Sequence, residues 1–201
     1  FKLDNTTYAN QYGVITKGGS RFIHDFNYGN NGTVTTEGRN VFVGLNAGNF
    51  TMGSTATLSY QASYNTAVGY ASLINNTSGY QNSAFGNASL YYNTSGSFNS
   101  AFGINSGRYL ADGSTAKTAG DSGLYLGANT KAGADGTNNE IVIGSNAIGA
   151  GSNKAVIGNS SVTDVYFGSS SGNAKLWGAN LNLSGLTASK LVFTDANKNL
   201  T

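Results

Sequence analysis

The sequence predicts an all-β fold: a parallel β-solenoid or β-roll in which short strands, each followed by glycine, stack as successive units. Three observations predict it. Units of 17 residues repeat in the middle of the chain, apolar runs of about three residues end at glycine, and the 201 residues include 29 Gly but no Pro. Proline would remove a backbone donor that a paired strand needs. We call each strand with the glycine that follows it a rung.

The 17-residue repeat is clearest in residues 65–103. The motif Asn-(Thr/Ser)-Ala-(Val/Phe)-Gly ends at Gly69, Gly86 and Gly103, and Asn-Thr-Ser-Gly connectors begin at Asn76 and Asn93. The runs elsewhere are rich in β-branched and aromatic residues, which is typical of strands. Units this short hold one strand with its turns, whereas a repeat built from a helix pair takes about 34 residues.

The same apolar–apolar–Gly element recurs on both sides of these repeats, and longer gaps between some elements indicate insertions, which we expect to be loops near residues 51–63 and 109–121. Glycine after each strand indicates a positive φ or a close backbone approach. The predicted rung residues are Val43, Gly44, Val68, Gly69, Phe85, Gly86, Phe102, Gly103, Leu126, Gly127, Ile143, Gly144, Ile157, Gly158, Phe167 and Gly168.

These spacings suggest three regions. Residues 1–39 form an N-terminal cap or connecting segment, residues 40–168 form the β-roll, and residues 169–201 form a C-terminal β module. The chain starts at Phe1 rather than Met. We therefore expect a piece of a longer protein, with the C-terminal module leading to a further downstream part.

Both faces of the predicted strands are apolar. The residue before each glycine is large, and we expect it to face the interior. The residue before that is apolar too, as at Phe42, Ala84 and Tyr125. Apolar residues on both faces indicate that both faces are covered. The simplest cover is a neighbouring copy of the chain, so a homo-oligomer is favoured. The alternative is that the first forty residues cover this face.

Composition excludes several classes of function. Charged residues make up 10% of the chain and the net charge is +2, too little for nucleic-acid binding by phosphate neutralisation. No cysteine is present, which removes disulfides, thiolate zinc sites and cysteine nucleophiles. No apolar run reaches the length of a membrane-spanning helix. We expect no cofactor, no metal, no nucleic-acid partner and no membrane insertion.

Few residues could support catalysis. The single histidine, His24, alternates with Phe22 and Phe26, so we expect a packed or hydrogen-bonded structural histidine. A groove pair of carboxylates such as Glu37 with Asp25 stays open, because polysaccharide cleavage uses such pairs. The expectation is nevertheless a protein that is not an enzyme.

Aspartates in glycine-rich loops could present oxygen ligands to Ca²⁺, but their spacing does not match a known calcium loop, so Asx-turns are expected. These are Asp112, Asp121 and Asp135.

Tyrosines are the candidate ligand-binding residues. Tyrosine beside Asn, Ser and Gln can stack on sugar rings and hydrogen-bond their hydroxyl groups. The alternative is that these rings only brace the turns and the oligomer seams. The candidates are Tyr60, Tyr64, Tyr80, Tyr91, Tyr92 and Tyr109.

The repeats and connectors together resemble those of bacteriophage tail-fibre and receptor-binding fibre proteins. They are also similar to the head repeats of trimeric autotransporter adhesins, although the adhesin unit is usually tighter than 17 residues. The resemblance implies a homotrimeric fibre in an extracellular virion tail. It further implies attachment to a host-cell receptor, a glycan in the favoured interpretation, and contacts with other tail or fibre proteins.

Three other functions remain as alternatives. A bacterial trimeric surface adhesin would share the architecture but sit on a bacterial cell surface. A polysaccharide depolymerase tailspike would need catalytic carboxylates. Ice binding would need a threonine ladder, and it is disfavoured because Thr66 aligns with Ser83 and Ser100.

Overall fold

The computed structural model describes residues 4–163 and residue 165, and this part of the chain forms one open sheet of nine strands. The strands lie side by side in chain order. No helix occurs in the described residues, so the predicted all-β class is confirmed. The strands are β1 (Ile15–Lys17), β2 (Ser20–His24), β3 (Val41–Val43), β4 (Thr66–Val68), β5 (Ser83–Phe85), β6 (Ser100–Phe102), β7 (Leu124–Leu126), β8 (Ile141–Ile143) and β9 (Ala155–Ile157).

Strands β3 to β9 pair in parallel and in register. Middle residues lie opposite one another, so that Phe42 faces Ala67 and Ala67 faces Ala84 along the sheet. The segments that return from one strand to the next are bonded as well, since the amide of Leu73 donates to the carbonyl of Ser89 at 3.2 Å. Each 17-residue unit is therefore hydrogen-bonded to its neighbour through its strand and through its return segment.

Glycine ends each of the strands β3–β9 for two steric reasons. The glycines after them have φ between 93° and 138°, a region that side chains disfavour. At Gly86 an added Cβ would also lie 2.4 Å from the carbonyl oxygen of Gly103 in the next unit. Both reasons suggested by the sequence, positive φ and close backbone approach, therefore apply.

The two strand faces are the reverse of what the sequence led us to expect. The middle residues of β3–β8 are buried, with Ala84 and Tyr125 at 0% exposure. The large residue before glycine faces outward instead, and Leu126 is 44% exposed. The expected inward position is thus wrong for Val43, Val68, Phe85, Phe102, Leu126, Ile143 and Ile157.

The reason for this reversal is that the interior is narrow. Alanines of the central strands share the core with Leu73 and Leu90 of the return segments. The two large aromatic residues that point inward from the strands each lie against a glycine. An added Cβ at Gly48 would meet the Phe42 ring at 2.8 Å, and one at Gly107 would meet the Tyr125 ring at 2.9 Å. A stack of phenylalanines would have no room inside.

The N-terminal residues extend the sheet. Strands β1 and β2 form an antiparallel hairpin, and β2 pairs antiparallel with β3 through Ile23 and His24. The ring of His24 packs against Phe42 and Phe50, at centroid distances of 4.8 and 4.9 Å. Because the hairpin joins the edge of β3, it adds strands in the plane of the sheet, unlike the alternative in which the first forty residues cover a face.

The two insertions carry buried side chains of their own. Residues 51–63 form turns that bury Met52 and Ala62, and residues 109–121 bury Lys117. By its contacts the chain divides into two units, Phe1–Thr163 and Asp164–Thr201, and the nine-stranded sheet belongs to the first. The predicted rung residues Phe167 and Gly168 and the module at residues 169–201 lie outside the described residues.

Candidate functional site

The outward face of the parallel strands forms a continuous uncharged strip. We define the outer strip as the first and third residues of β3–β9, none of which is charged. Its members are Val41, Val43, Thr66, Val68, Ser83, Phe85, Ser100, Phe102, Leu124, Leu126, Ile141, Ile143, Ala155 and Ile157.

The outer strip exposes large apolar side chains to solvent. The exposed fraction is 38% for Phe102, 46% for Ile157 and 50% for Val41. The rings of Phe85 and Phe102 stack in parallel, with centroids 5.1 Å apart and an interplanar angle of 1°. An ordered apolar surface that spans seven strands is the kind of patch that marks an interaction site.

Beneath the strip runs a buried asparagine ladder, which was not predicted from the sequence. Each of its asparagines directly precedes a strand. The Asn40 side-chain oxygen accepts from the Asn65 amide at 2.8 Å, and that of Asn65 accepts from the Asn82 amide at 3.1 Å. The Asn82 side chain accepts from Asn99 at 3.0 Å. The signal that could have revealed it is the recurrence of Asn at one repeat position.

Three of the six candidate tyrosines come together around one arginine. The guanidinium carbon of Arg108 lies 4.5 Å from the ring centroid of Tyr91, 5.4 Å from that of Tyr92 and 4.8 Å from that of Tyr109. We call these four residues the tyrosine–arginine cluster. The tyrosines were predicted from the sequence but Arg108 was not, although Arg108 follows Tyr91 by one repeat length of 17 residues.

Two further candidates lie apart from this cluster. Tyr60 and Tyr80 meet edge to face at 4.8 Å, and Phe98 continues the row at 5.1 Å from Tyr80. Tyr60 is 39% exposed, so this row presents aromatic surface to solvent.

Tyr64 belongs to a polar group with Glu37 and Arg39. Its hydroxyl donates to the Glu37 carboxylate and accepts from Arg39 at 3.0 Å. Hydrogen bonds from Tyr64 and Ser59 hold the pKa of Glu37 below its usual value. Glu37 and Asp25 line one cavity of about 250 Å³, so the carboxylate pair left open by the sequence shares a pocket.

His24 is a buried, hydrogen-bonded side chain, as the sequence predicts. Its Nδ1 accepts from the Phe26 amide at 3.2 Å, and its Nε2 lies 2.9 Å from the carbonyl oxygen of Ala47. The neutral tautomer with the proton on Nε2 satisfies both contacts. Burial lowers the pKa of His24 to about 4, so the ring is uncharged near neutral pH.

The loop aspartates stabilise turns and link units. Asp112 accepts from the amides of Ser114 and Thr115, and the bonds from these two residues lower its pKa to about 2. This is the Asx-turn predicted from the sequence. Asp121 and Asp135 differ, since they accept from amides of the preceding unit, as at Ser97. Within the described residues no cluster of three or more acidic or histidine side chains could hold a metal.

Two buried ionisable residues, Glu140 and Lys117, contact Tyr125. The carboxylate of Glu140 accepts from Tyr125, Thr137 and the Gly151 amide. Lys117 donates to the carbonyl of Ala119 at 2.8 Å, and burial lowers the pKa of Lys117 to about 8. Both side chains have 0% exposure, so this group belongs to the interior and offers no surface to a ligand.

Comparisons with family models, with curated proteins and with solved structures gave no match to this chain. In the described part of the chain, no helix has the length and apolar character needed to cross a membrane.

Proposed function

We propose that this chain is a parallel β-solenoid segment of a homotrimeric fibre. The observation that carries the proposal is the outer strip, where seven successive strands present apolar side chains and no charge. Monomeric proteins rarely leave so continuous an apolar surface in water. Further copies of the same chain supply a matching uncharged surface, and the threefold arrangement follows from the resemblance of the repeats to those of trimeric fibre proteins.

The mechanical part of the function is a stiff shaft. Because each unit contacts mainly its neighbours, stability adds along the stack as in other repeat proteins. In-register strands, bonded return segments and the asparagine ladder all join one unit to the next. Burial of the outer strip between copies adds the hydrophobic contribution that a narrow core of alanines lacks.

The adhesive part of the function is attachment to a host cell, with the fibre on a phage tail. The tyrosines offer flat aromatic surfaces beside polar side chains, which suits sugar rings. Each trimer would carry three copies of every site. Linked sites convert weak individual binding into strong overall attachment.

Mass measurements on outer-strip variants test the oligomer. Light scattering on the full chain should give three times 20.6 kDa. Replacing two stacked rings together, Phe85→Ser with Phe102→Ser, should yield monomers with an unchanged far-ultraviolet circular dichroism spectrum. Leu58→Ser is the matched control, because Leu58 is 47% exposed but lies in an insertion. A double variant with the same mass as the wild type would contradict the proposal.

A cell-binding experiment tests the function itself. The labelled wild-type chain should bind susceptible bacteria, and the monomeric double variant should bind at least tenfold more weakly because it loses multivalency. Antibodies to the chain should label virion tails. Labelling of a bacterial cell surface in the absence of phage would favour the adhesin alternative.

One observation favours a second candidate, the depolymerase. Asp25 and Glu37 line the same cavity, together with Arg39. Against it, hydrogen bonds lower the pKa of Glu37, whereas a general acid needs a raised pKa. Release of reducing ends from host capsule by the wild-type chain, abolished by Glu37→Gln, would establish it.

A further inference from the structure

The contacts of Arg108 are with tyrosine rings and an asparagine, and none of them is with an acidic side chain. Its guanidinium lies within 5.4 Å of three tyrosine ring centroids. Nη1 donates to the side-chain oxygen of Asn105 at 2.8 Å, while Nε is buried without a hydrogen-bond partner among the described residues. None of these contacts involves a carboxylate. Arg108 also hydrogen-bonds Tyr92, but a guanidinium has five N–H donors, so donors remain for a ligand.

Arg39 provides the internal comparison. It also lies beside a tyrosine, with its guanidinium carbon 5.5 Å from the Tyr64 ring, and it donates to the Tyr64 hydroxyl. That hydroxyl in turn donates to the Glu37 carboxylate, so an acidic group of the chain is already part of this arrangement. Arg108 also lies beside tyrosine rings, but the polar side chain that it contacts is the amide of Asn105 and not an acidic group.

The tyrosines of the cluster supply what a sugar ring needs. Tyr91 and Tyr92 meet edge to face at 4.6 Å, and Tyr92 and Tyr109 are 5.6 Å apart. All three are partly exposed. Hydrogen bonds from Arg108 and Tyr109 lower the pKa of Tyr92, as expected for a hydroxyl beside a positively charged guanidinium. The cluster shares no residue with the outer strip.

We propose that the tyrosine–arginine cluster binds a carboxylate-bearing sugar residue, a uronic acid or a sialic acid. This inference rests on the proposed attachment to glycans. The guanidinium pairs with the sugar carboxylate through parallel N–H···O bonds, the strongest recognition that arginine offers. The tyrosine rings pack against the apolar face of the sugar, and their hydroxyl groups bond to its hydroxyl groups.

Calorimetric titration of the full chain tests this inference with paired oligosaccharides. One set contains glucuronic acid and another contains sialic acid, each paired with its carboxyl-reduced form. The wild type should bind the acidic member of one pair at least tenfold more tightly than its reduced form, and the set that binds identifies the source of the carboxylate. Arg108→Gln should remove that preference, and Lys154→Gln is the control that should keep it, because Lys154 is an exposed cation outside the cluster.

Arg108→Lys adds a second variant, which keeps the charge but loses the planar pair of donors, and it should lose part of the affinity. Equal binding of acidic and reduced forms by the wild type would overturn the inference, as would wild-type affinity in Arg108→Gln. Binding of neither form would overturn it as well. The oligomer proposal would then still be decided by the mass of the chain.

Discussion

Asn82 illustrates how one side chain connects three consecutive units. Its Nδ2 donates to Asn65 Oδ1 at 3.1 Å and to the carbonyl of Gly96 at 2.9 Å, while its Oδ1 accepts from the Asn99 amide. The side chain has 0% exposure. A buried polar group that loses its partner costs about 1–3 kcal/mol. Removing this amide would leave several such groups at once.

Asn82→Ala should therefore lower the free energy of unfolding by about 3 kcal/mol or more. The control is Asn87→Ala, because Asn87 is exposed in the same unit. Both variants are compared with the wild type by urea unfolding at one protein concentration. Equal losses in the two variants would contradict a stabilising asparagine ladder.

The lowered pKa of His24 makes the free energy of unfolding depend on pH. A base whose pKa falls on folding is protonated more readily in the unfolded state, so its contribution is full above pH 6.5 and declines as pH falls toward 4. Protonation would also place a proton on Nδ1, which faces the Phe26 amide. The expected loss is about 3 kcal/mol by pH 4.

His24→Gln removes this titration, and the chain has no other histidine. Unfolding free energies measured from pH 7 to pH 4 should fall more steeply for the wild type than for the variant. Parallel curves would show that His24 does not titrate on unfolding.

Residue type and alternation sufficed to predict the role of His24, because a histidine between two phenylalanines on one strand face belongs to an apolar side. The asparagine ladder was not predicted, since Asn next to Gly and Ser usually indicates turns. Arg108 escaped notice because its tyrosine neighbours lie in the preceding unit, at Tyr91 and Tyr92, as well as beside it in the chain.

At the scale of the element, a strand followed by glycine sets the distance between units. Gly86 combines a φ of 138° with an added Cβ position 2.4 Å from the Gly103 carbonyl oxygen. Neither backbone can move away without breaking the pairing of β5 with β6. At Gly136, φ is also positive, at 72°, but an added Cβ would meet nothing within 4 Å.

Comparing Gly136 with Gly86 separates the cost of backbone strain from the cost of close approach between units. Gly136→Ala should cost about 1–2 kcal/mol, the energy of a left-handed conformation, whereas Gly86→Ala should cost more than about 3 kcal/mol because it adds a clash with backbone. Thermal or urea unfolding of the two variants checks the difference. Equal costs would mean that the units do not pack as closely as described.

The strand faces show where sequence reasoning failed for an element. Side-chain size suggested that Phe85 and Phe102 point inward, because large apolar residues usually fill cores. The interior accepts alanine at these rungs, and Leu90 of a return segment belongs to the same core as Ala84. Side-chain size alone could not decide which strand face points inward, because the depth of the core depends on how closely the return segment approaches the strands.

For the whole molecule, the repeat spacing predicted the arrangement of the sheet. Spacings of 17 residues bring Thr66, Ser83 and Ser100 opposite one another in parallel register. The antiparallel hairpin of β1 and β2 was not predicted, because residues 1–39 share no repeat with the rest. The apolar character of both strand faces was recognised, and it is the outward one, the outer strip, that stays exposed in the single chain.

The proposed fibre requires above all that copies of the chain cover the outer strip. Sedimentation equilibrium of the full chain over a dilution series measures this directly, because it gives the mass in solution without reference to shape. We expect three times 20.6 kDa at every concentration down to the submicromolar range. A mass of 20.6 kDa for a folded chain across the series would contradict it.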